Sequence, residues 1–215
     1  MKKHLIIGDL LFYLALPYLI WKFGQAPLGD YYAMLLSTVP GIFYTIFRFL
    51  SERQFNVTGL FILSSLVVGT TVDVISGSAA NMQWNNVYLS LGFGCFWILT
   101  MLIRRPLALY FAIDIAYMQG QSRAKSKKLY MTPKLLPWFY IISGIFALRS
   151  FLSGGLRSYL IQTFGVANYD SILFYMKVYG WCFSVIIFGA FIILGIKMNE
   201  QAESSDMTKK PAEAN

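Results

Sequence analysis

The feature that most constrains this chain is a series of apolar runs, each about 20 residues long. A membrane-spanning α-helix needs about 20 predominantly apolar residues, and a lone segment satisfies its own backbone hydrogen bonds in hydrocarbon only as a helix. Six runs meet this requirement, at about 4–23, 31–50, 57–76, 86–103, 135–158 and 171–197. The sequence therefore predicts an all-α fold, a polytopic membrane helix bundle of six transmembrane helices in one domain over residues 1–198.

Two further segments complete the predicted layout. The stretch LALYFAIDIAYM, 107–118, is apolar but has only 12 residues, too few to cross a bilayer. We expect a short interfacial helix there, lying at the membrane surface or folded against the bundle, with Pro106 at its start. The chain from Asn199 onward is polar, which predicts a disordered cytoplasmic tail over 199–215.

The overall composition is that of a membrane protein. Hydrophobic residues make up 57% of the chain and charged residues 13%, about half the charged fraction of a typical soluble domain. Cys95 and Cys182 lie within apolar runs, without the spacing of a disulfide framework or a metal site. We expect both to be small buried hydrophobic residues.

The distribution of basic residues predicts the orientation of the spans. With the N-terminus inside, 14 of the 18 lysine and arginine residues lie on the cytoplasmic side, where membrane proteins concentrate them. The connection SGSAANMQWNN, 76–86, carries no charge and is placed outside. We therefore expect a multi-pass membrane protein with both the N- and C-termini cytoplasmic.

Basic residues also cluster in one inner connection, 121–134. It contains Arg123, Lys125, Lys127 and Lys128. Each such residue contributes about 1 kcal/mol of attraction to an anionic leaflet, so we expect this loop to contact membrane lipids through their anionic headgroups. A docking site for a protein partner is the alternative. Nucleic acid is not an expected partner, because no soluble domain carries the net charge of +8.

Charged residues inside the spans mark a candidate site, because a charge in hydrocarbon normally faces the bundle interior or water. At a rise of 1.5 Å per residue, Asp73 lies roughly 24 Å along the third run and Arg149 roughly 21 Å along the fifth. Lys177 lies at a similar level, and Arg157 lies two turns further out. We therefore expect an outer polar cluster in which Asp73 is the counter-ion of Arg149, of Lys177 or of both.

A second pair is expected in the inner half of the membrane. Asp9 in the first run and Arg48 in the second both lie within about 8 Å of the cytoplasmic surface by the same rise. Asp114 of the short helix has Arg104 or Arg105 as alternative partners. For each group, an ion pair that only fixes the register of helices competes with a functional site for an anion or a proton.

Signatures of catalysis are missing from the sequence. The single histidine, His4, cannot form a metal cluster alone, and the chain has no phosphate-binding glycine loop, HExxH or GxSxG motif. We therefore expect no enzyme, and no catalytic, cofactor-binding or metal-binding residues.

The layout of residues 1–150 resembles a family of small bacterial inner-membrane proteins. The resemblance rests on GDLLFYLALPYLIW in the first run, LIRRPLALY after the fourth and LPWFYIISGIF at the start of the fifth. These segments are similar to those of proteins related to intracellular septation protein A, most closely at Arg104–Leu107 and Trp138. The duplicated LRS phrase in 148–160 and the sixth span depart from that pattern. The resemblance implies a part in cell-envelope upkeep and division, without a known reaction.

Two functions remain open at this point. The first is an integral membrane protein without catalysis, with a structural or interaction role in cell-envelope upkeep or septation and with a protein partner or a second copy of itself. The second is a small secondary transporter or channel with a polar site around Asp73, Arg149 and Lys177. Inverted repeats would support transport, but residues 1–76 and 86–197 show no similarity. That favours the first function.

The charge distribution generates a topology prediction. Reporter fusions at Asn81 and Asn168 should report the outside and a fusion at Lys125 the inside, because the basic connections stay in the cytoplasm. A pair of reporters, one active only inside and one only outside, measures this. A cytoplasmic signal from Asn168 would contradict the six-span order.

Overall fold

A computed structural model of the chain describes residues 8–51 and 56–209, with side chains described through Met198. All regular secondary structure in this part of the chain is helical. The α-helices are α1 Leu16–Ser51, α2 Val57–Ile75, α3 Ala79–Leu102, α4 Leu107–Met118, α5 Arg123–Tyr130, α6 Leu136–Phe164 and α7 Tyr169–Lys209. A π-helical segment, Leu11–Ala15, precedes α1, and a 3₁₀ turn, Val166–Asn168, precedes α7. Residues 4–7 of the expected first span, Arg53 and tail residues 210–215 lie outside the described residues.

Five helical segments of the described chain are long and apolar enough to cross a membrane. They are Gly8–Ser51, Val57–Ile75, Ala79–Leu102, Leu136–Phe164 and Val166–Met198. Their best 18-residue windows have a mean hydropathy of 1.2 to 2.2, and many of their large apolar side chains are exposed on the outer surface. Such a surface is unfavourable in water. The fold is therefore that of a multi-pass membrane protein.

The first of these segments is broken at Gly29, where the backbone leaves the helix with φ 76° and ψ 165°. The two sides of the break contact each other: the Tyr13 hydroxyl lies 2.8 Å from Thr45 Oγ1, and the Phe12 and Tyr44 rings stack with centroids 4.8 Å apart. In a straight helix, the separation of 32 residues between Tyr13 and Thr45 would span about 48 Å. The segment is therefore an antiparallel hairpin.

This hairpin accounts for the difference between six expected spans and five observed segments. The expected runs 4–23 and 31–50 correspond to its two arms. Helix continues on both sides of Gly29 with no loop between the arms, so chain reversal needs only this one backbone conformation, which is essentially restricted to glycine. Pro27, which lacks an amide hydrogen, weakens the helix beside it.

Contacts divide the chain into two compact units. Unit 1 contains Met1–Cys95 and Leu148–Trp181, and unit 2 contains Phe96–Ala147 and Cys182–Asn215. Helices α3, α6 and α7 each contribute residues to both units. Each unit has its own buried cluster of apolar side chains.

Unit 1 packs through aromatic and small residues. The Trp21 and Tyr169 rings meet edge to face with centroids 5.2 Å apart, in a cluster that includes the fully buried Met34. Gly154 of α6 allows α6 to approach α3 closely, because a Cβ at this position would lie 3.0 Å from the Leu91 side chain. Small residues commonly serve this purpose where helices meet inside a membrane.

Helix α4 lies in the core of unit 2. Seven of its 12 residues are buried, packed in a cluster with Phe139 of α6 and Leu194 of α7. Ser143 of α6 accepts a hydrogen bond of 3.3 Å from the Ala108 amide at the start of α4. The structure therefore shows the second of the two expected arrangements, a helix folded against its neighbours. An apolar surface on most sides of a helix is better covered by protein than by lipid headgroups.

Three local expectations differ from the structure. Cys95 and Cys182 are exposed, not buried, because an apolar side chain on a span is as stable against lipid as against protein. Helix α7 continues to Lys209, past Asn199, where the sequence predicted disorder; this stretch is rich in the helix formers Glu, Gln, Ala and Met. The basic segment predicted as a loop forms α5, whose Ser126 and Tyr130 are buried.

The hairpin generates a stability prediction. Gly29→Ala should destabilise the protein by about 1–3 kcal/mol, because the backbone conformation at this position excludes side chains, although no other atom lies within 4 Å of the new Cβ. Gly144→Ala in α6 is the matched control, also with open space around it but in helical backbone. It should leave stability unchanged or raise it by up to about 1 kcal/mol. Chemical unfolding in detergent measures both variants, and equal effects would contradict the turn.

Candidate functional site

A group of polar side chains in unit 1, which we call the outer polar network, consists of Asp73, Gln83, Asn86 and Arg157. Asp73 lies near the end of α2 and is 9% exposed. Its Oδ1 accepts a hydrogen bond of 2.7 Å from Asn86 Nδ2 of α3. The Tyr31 hydroxyl donates to the backbone oxygen of Val74 at 2.7 Å and lies 3.1 Å from that of Asp73. These bonds tie the end of α2 to α3 and to the second arm of the hairpin.

Arg157 of α6 forms the other half of the network. Its Nη1 donates a hydrogen bond of 2.9 Å to Gln83 Oε1, and Gln83 is 1% exposed. Arg157 also interacts electrostatically with Asp73 and Lys177. Within the described chain, Arg157 Nε and Gln83 Nε2 are buried without a hydrogen-bond partner. An unsatisfied buried donor costs about 1–3 kcal/mol, so the network is only partly satisfied.

The ion pair expected between Asp73 and Arg149 or Lys177 is not formed. Asp73 is instead hydrogen-bonded to Asn86, and the basic residue with which it interacts electrostatically is Arg157. Equal depth in the membrane places side chains on one level, but it does not determine how each helix is rotated about its axis. Arg157 follows Arg149 by eight residues, which turns it by about 80° around α6. The rotation of α6 therefore decides which arginine interacts with the carboxylate.

Arg149 and Lys177 have other neighbours in unit 1. The Tyr179 hydroxyl donates a hydrogen bond of 2.5 Å to the backbone oxygen of Arg149, and Arg149 Nε is buried without a hydrogen-bond partner among the described residues. The Lys177 ammonium lies 5.2 Å from the centroid of the Tyr13 ring, within the range of a cation–π interaction. Both cations therefore lie in unit 1 without forming the pair that the sequence predicted.

Sequence reasoning missed the two amides of the network. Gln83 and Asn86 belong to the segment QWNN, which the sequence predicts to lie in an uncharged outer connection. In the structure α3 begins at Ala79, well before the expected start at 86, so both amides lie on one helix, three residues apart and on the same face. A neutral side-chain amide can donate a hydrogen bond to a carboxylate and accept one from a guanidinium. The signal available in the sequence was the helical spacing of these amides beside an apolar run, which would have indicated that both lie on the spanning helix.

A small cavity adjoins Asp73 in unit 1, with a volume of about 230 Å³. Its lining carries hydroxyl groups from both arms of the hairpin and from α2, on Tyr13, Thr38, Thr45, Ser65 and Thr70. Thr45 and Ser65 donate to backbone oxygens one turn earlier in their own helices, which leaves lone pairs on both hydroxyl oxygens. A water molecule in liquid occupies about 30 Å³. The cavity therefore has the size and polarity to hold several waters.

The inner pair predicted from the sequence is in contact. Arg48 Nη1 lies 3.2 Å from Asp9 Oδ1, and the two side chains are 33% and 44% exposed. The hairpin brings them together from opposite arms, and the Tyr44 hydroxyl packs against Gly8 in the same region. A partly exposed ion pair contributes at most about 1 kcal/mol. The contact therefore suits a role in fixing the register of the two arms.

Asp114 of α4 lies 3.5 Å from Arg123 of α5. The sequence offered Arg104 or Arg105 as partners, and the observed contact is with the first residue of the basic helix. The Arg123 guanidinium also lies 4.4 Å from the centroid of the Tyr117 ring. Arg123 is thus held against α4, while the lysines of α5 are exposed, namely Lys125, Lys127 and Lys128.

These features define the class of protein, an integral membrane protein with several spanning helices and a polar network inside one of its units. Comparison of the chain with models of known protein families, with curated proteins and with solved structures finds no match. In the part of the chain that the structure describes, no three His, Cys, Asp or Glu side chains group as metal ligands would. The network, the cavity and the charged surfaces therefore carry the functional proposals.

The network generates a coupling prediction. Asp73→Ala and Asn86→Ala should each destabilise the protein, and the double variant should lose about 1 kcal/mol less than the sum, because either change removes the shared hydrogen bond. Asn85 is the matched control, since it is the same residue type one position earlier and donates to Ser76 Oγ at 2.9 Å. Asp73→Ala and Asn85→Ala should therefore add. Chemical unfolding of the five variants measures this, and additive losses for Asp73 and Asn86 would contradict the network.

Proposed function

We propose that the chain crosses the bacterial cytoplasmic membrane six times, with both termini in the cytoplasm. The hairpin supports this arrangement, because residues 8–28 and 30–51 flank Gly29 and each arm is long enough to span hydrocarbon. The short helix α4 is then a non-spanning helix between the fourth and fifth spans. The excess of basic residues in the connections assigned to the cytoplasm supports the orientation.

Within this topology, the protein works without catalysis, in a structural or interaction role in the upkeep or septation of the cell envelope. The observation that carries the structural role is the partnering of buried with half-buried polar side chains across helices: Asp73 with Asn86, and Gln83 with Arg157. Polar contacts of this kind fix the rotation and register of helices that lipid alone does not hold in place. The envelope role is supported by the family resemblance at Arg104–Leu107 and Trp138.

An interaction role fits the surface that the spans leave uncovered. In α2 and α7, only 6% of the most apolar 18-residue window is buried within the described protein. These faces contact lipid, a second copy of the chain or the span of another membrane protein. A small protein that acts by contact needs such faces, whereas an enzyme needs an enclosed site with catalytic groups.

The cavity beside Asp73 favours a second candidate, a small secondary transporter or channel. Five hydroxyl-bearing side chains and one carboxylate line the cavity inside the spans, and polar residues at such depth commonly mark ion or solute pathways. The cation of Lys177, over the Tyr13 ring, lies next to the same lining. Transport requires that water reach this cavity, whereas a purely structural network requires none.

Thiol labelling in intact cells separates the two candidates. With Cys95 and Cys182 replaced by alanine, a single cysteine is placed at Thr70, which lines the cavity. Val68, on the same helix and 45% exposed on its outer face, provides the matched control. For the structural role, a membrane-impermeant maleimide should label neither position, because hydrocarbon or dry protein surrounds both. Labelling at Thr70 without labelling at Val68 would overturn the structural role in favour of transport.

A further inference from the structure

A groove in unit 2 runs along the inner end of α7, with a volume of about 460 Å³. This volume lies within the range of small-molecule binding sites. Along α7 it extends from Phe188 to Met198, about 15 Å at the rise of an α-helix. Ile115 and Ile192 contribute to its apolar wall. The groove therefore has the length and the apolar lining to hold part of a hydrocarbon chain.

One end of this groove is polar. Gln119, Gln121 and Tyr130 contribute to the lining there, and Gln121 Oε1 accepts a hydrogen bond of 3.3 Å from Ser126. Tyr130 is 1% exposed, and its hydroxyl is in hydrogen-bonding contact with Ser126, while burial raises the pKa of the phenol. The groove is therefore amphipathic, with amide and hydroxyl groups at one end and apolar side chains along its length.

The polar end adjoins the basic helix α5. Gln121 precedes this helix by two residues and Tyr130 is its last residue. The helix sequence RAKSKKLY contains four basic residues and no acidic one. Arg123 is engaged by Asp114 and Tyr117, which leaves the exposed ammonium groups of Lys125, Lys127 and Lys128. A ligand with a negative charge at one end and hydrocarbon at the other complements both the groove and this helix.

We propose that the groove binds an anionic phospholipid, with one acyl chain along α7 and the phosphate at the polar end, attracted by the lysines of α5. The proposal rests on the membrane topology proposed above, in which α5 lies at the cytoplasmic leaflet. It adds to that topology a defined lipid-binding groove in unit 2. A general attraction of basic residues to the leaflet needs no groove.

Gly195 allows the groove to be filled selectively. It lines the groove, and no atom lies within 4 Å of a Cβ built on it, so the first carbon of a larger side chain has open space at the groove. Gly189 lies on the same helix with equally open surroundings but is not among the lining residues. Gly195→Leu and Gly189→Leu therefore differ in whether they occupy the groove, while both remove a helical glycine.

The test measures the melting temperature of the full-length protein in detergent with added phosphatidylglycerol or with phosphatidylcholine of the same acyl chains. A ligand that binds only the folded protein raises the melting temperature, and at saturating lipid we expect phosphatidylglycerol to exceed phosphatidylcholine by about 5 °C or more. Gly195→Leu should abolish this difference and Gly189→Leu should keep it. Equal shifts with both lipids for the unmodified protein, or a difference that survives Gly195→Leu, would overturn the proposal.

Charge variants test the headgroup separately. The pair Lys127→Gln and Lys128→Gln should reduce the preference for phosphatidylglycerol, while Lys22→Gln, an exposed lysine of α1, should leave it unchanged. Light scattering supplies the remaining outcome: if Gly195→Leu converts a dimer into a monomer, the groove binds a second copy of the chain and the lipid proposal is wrong. The reporter fusions test the topology independently, so the two failures are distinguishable.

Discussion

A bilayer core offers no hydrogen-bond partner, so polar groups that the chain carries into hydrocarbon are stabilised by partners inside the protein. The arrangement of unit 1 follows from this constraint. Asp73 and Arg157 do not pair directly by a hydrogen bond; each is held by a neutral amide of α3, Asn86 or Gln83. Two amides on one helix face thereby connect α2 and α6 through α3. At the inner end of the hairpin, Asp9 and Arg48 stabilise each other as an ion pair. Their partial exposure lowers the free-energy cost of removing the two charges from water.

The sequence predicted most of the long apolar helices, but it did not predict which way Asp73 faces. Apolar run lengths predicted α2, most of α3, α6 and the membrane part of α7, because spanning length is a property of composition alone. Asp9 and Arg48 were paired correctly, since both lie near the ends of consecutive antiparallel arms. Asp73 was assigned to Arg149 or Lys177, because depth was the only coordinate available. Rotation about a helix axis depends on packing between helices, which one chain's apolar pattern does not specify.

Apolarity also fails to distinguish lipid from protein as the surroundings of a side chain. The run 107–118 was too short to span and was expected at the membrane surface or folded against the bundle, and α4 lies in the core of unit 2. Cys95 and Cys182 were expected inside and are exposed. In a soluble protein, hydrophobic residues are drawn from water into the core, and that force sorts inside from outside. Within a membrane, polar and small residues determine which helix faces pack against protein. Examples are Ser143, which contacts α4, and Gly154, which contacts α3.

The π-helical segment Leu11–Ala15 determines how the start of the hairpin's first arm is rotated about its helix axis. A π-helical turn holds more residues than an α-helical turn, whereas each α-helical residue advances the chain by about 100°. Deleting one residue from this segment would allow regular α-helix, and residues 8–10 would rotate by about 100° relative to the rest of the arm. Asp9 would then turn away from Arg48, while the later part of the arm would keep its orientation. The π-helical segment thus lets the first arm of the hairpin form both the Asp9–Arg48 and the Tyr13–Thr45 contact with the second arm.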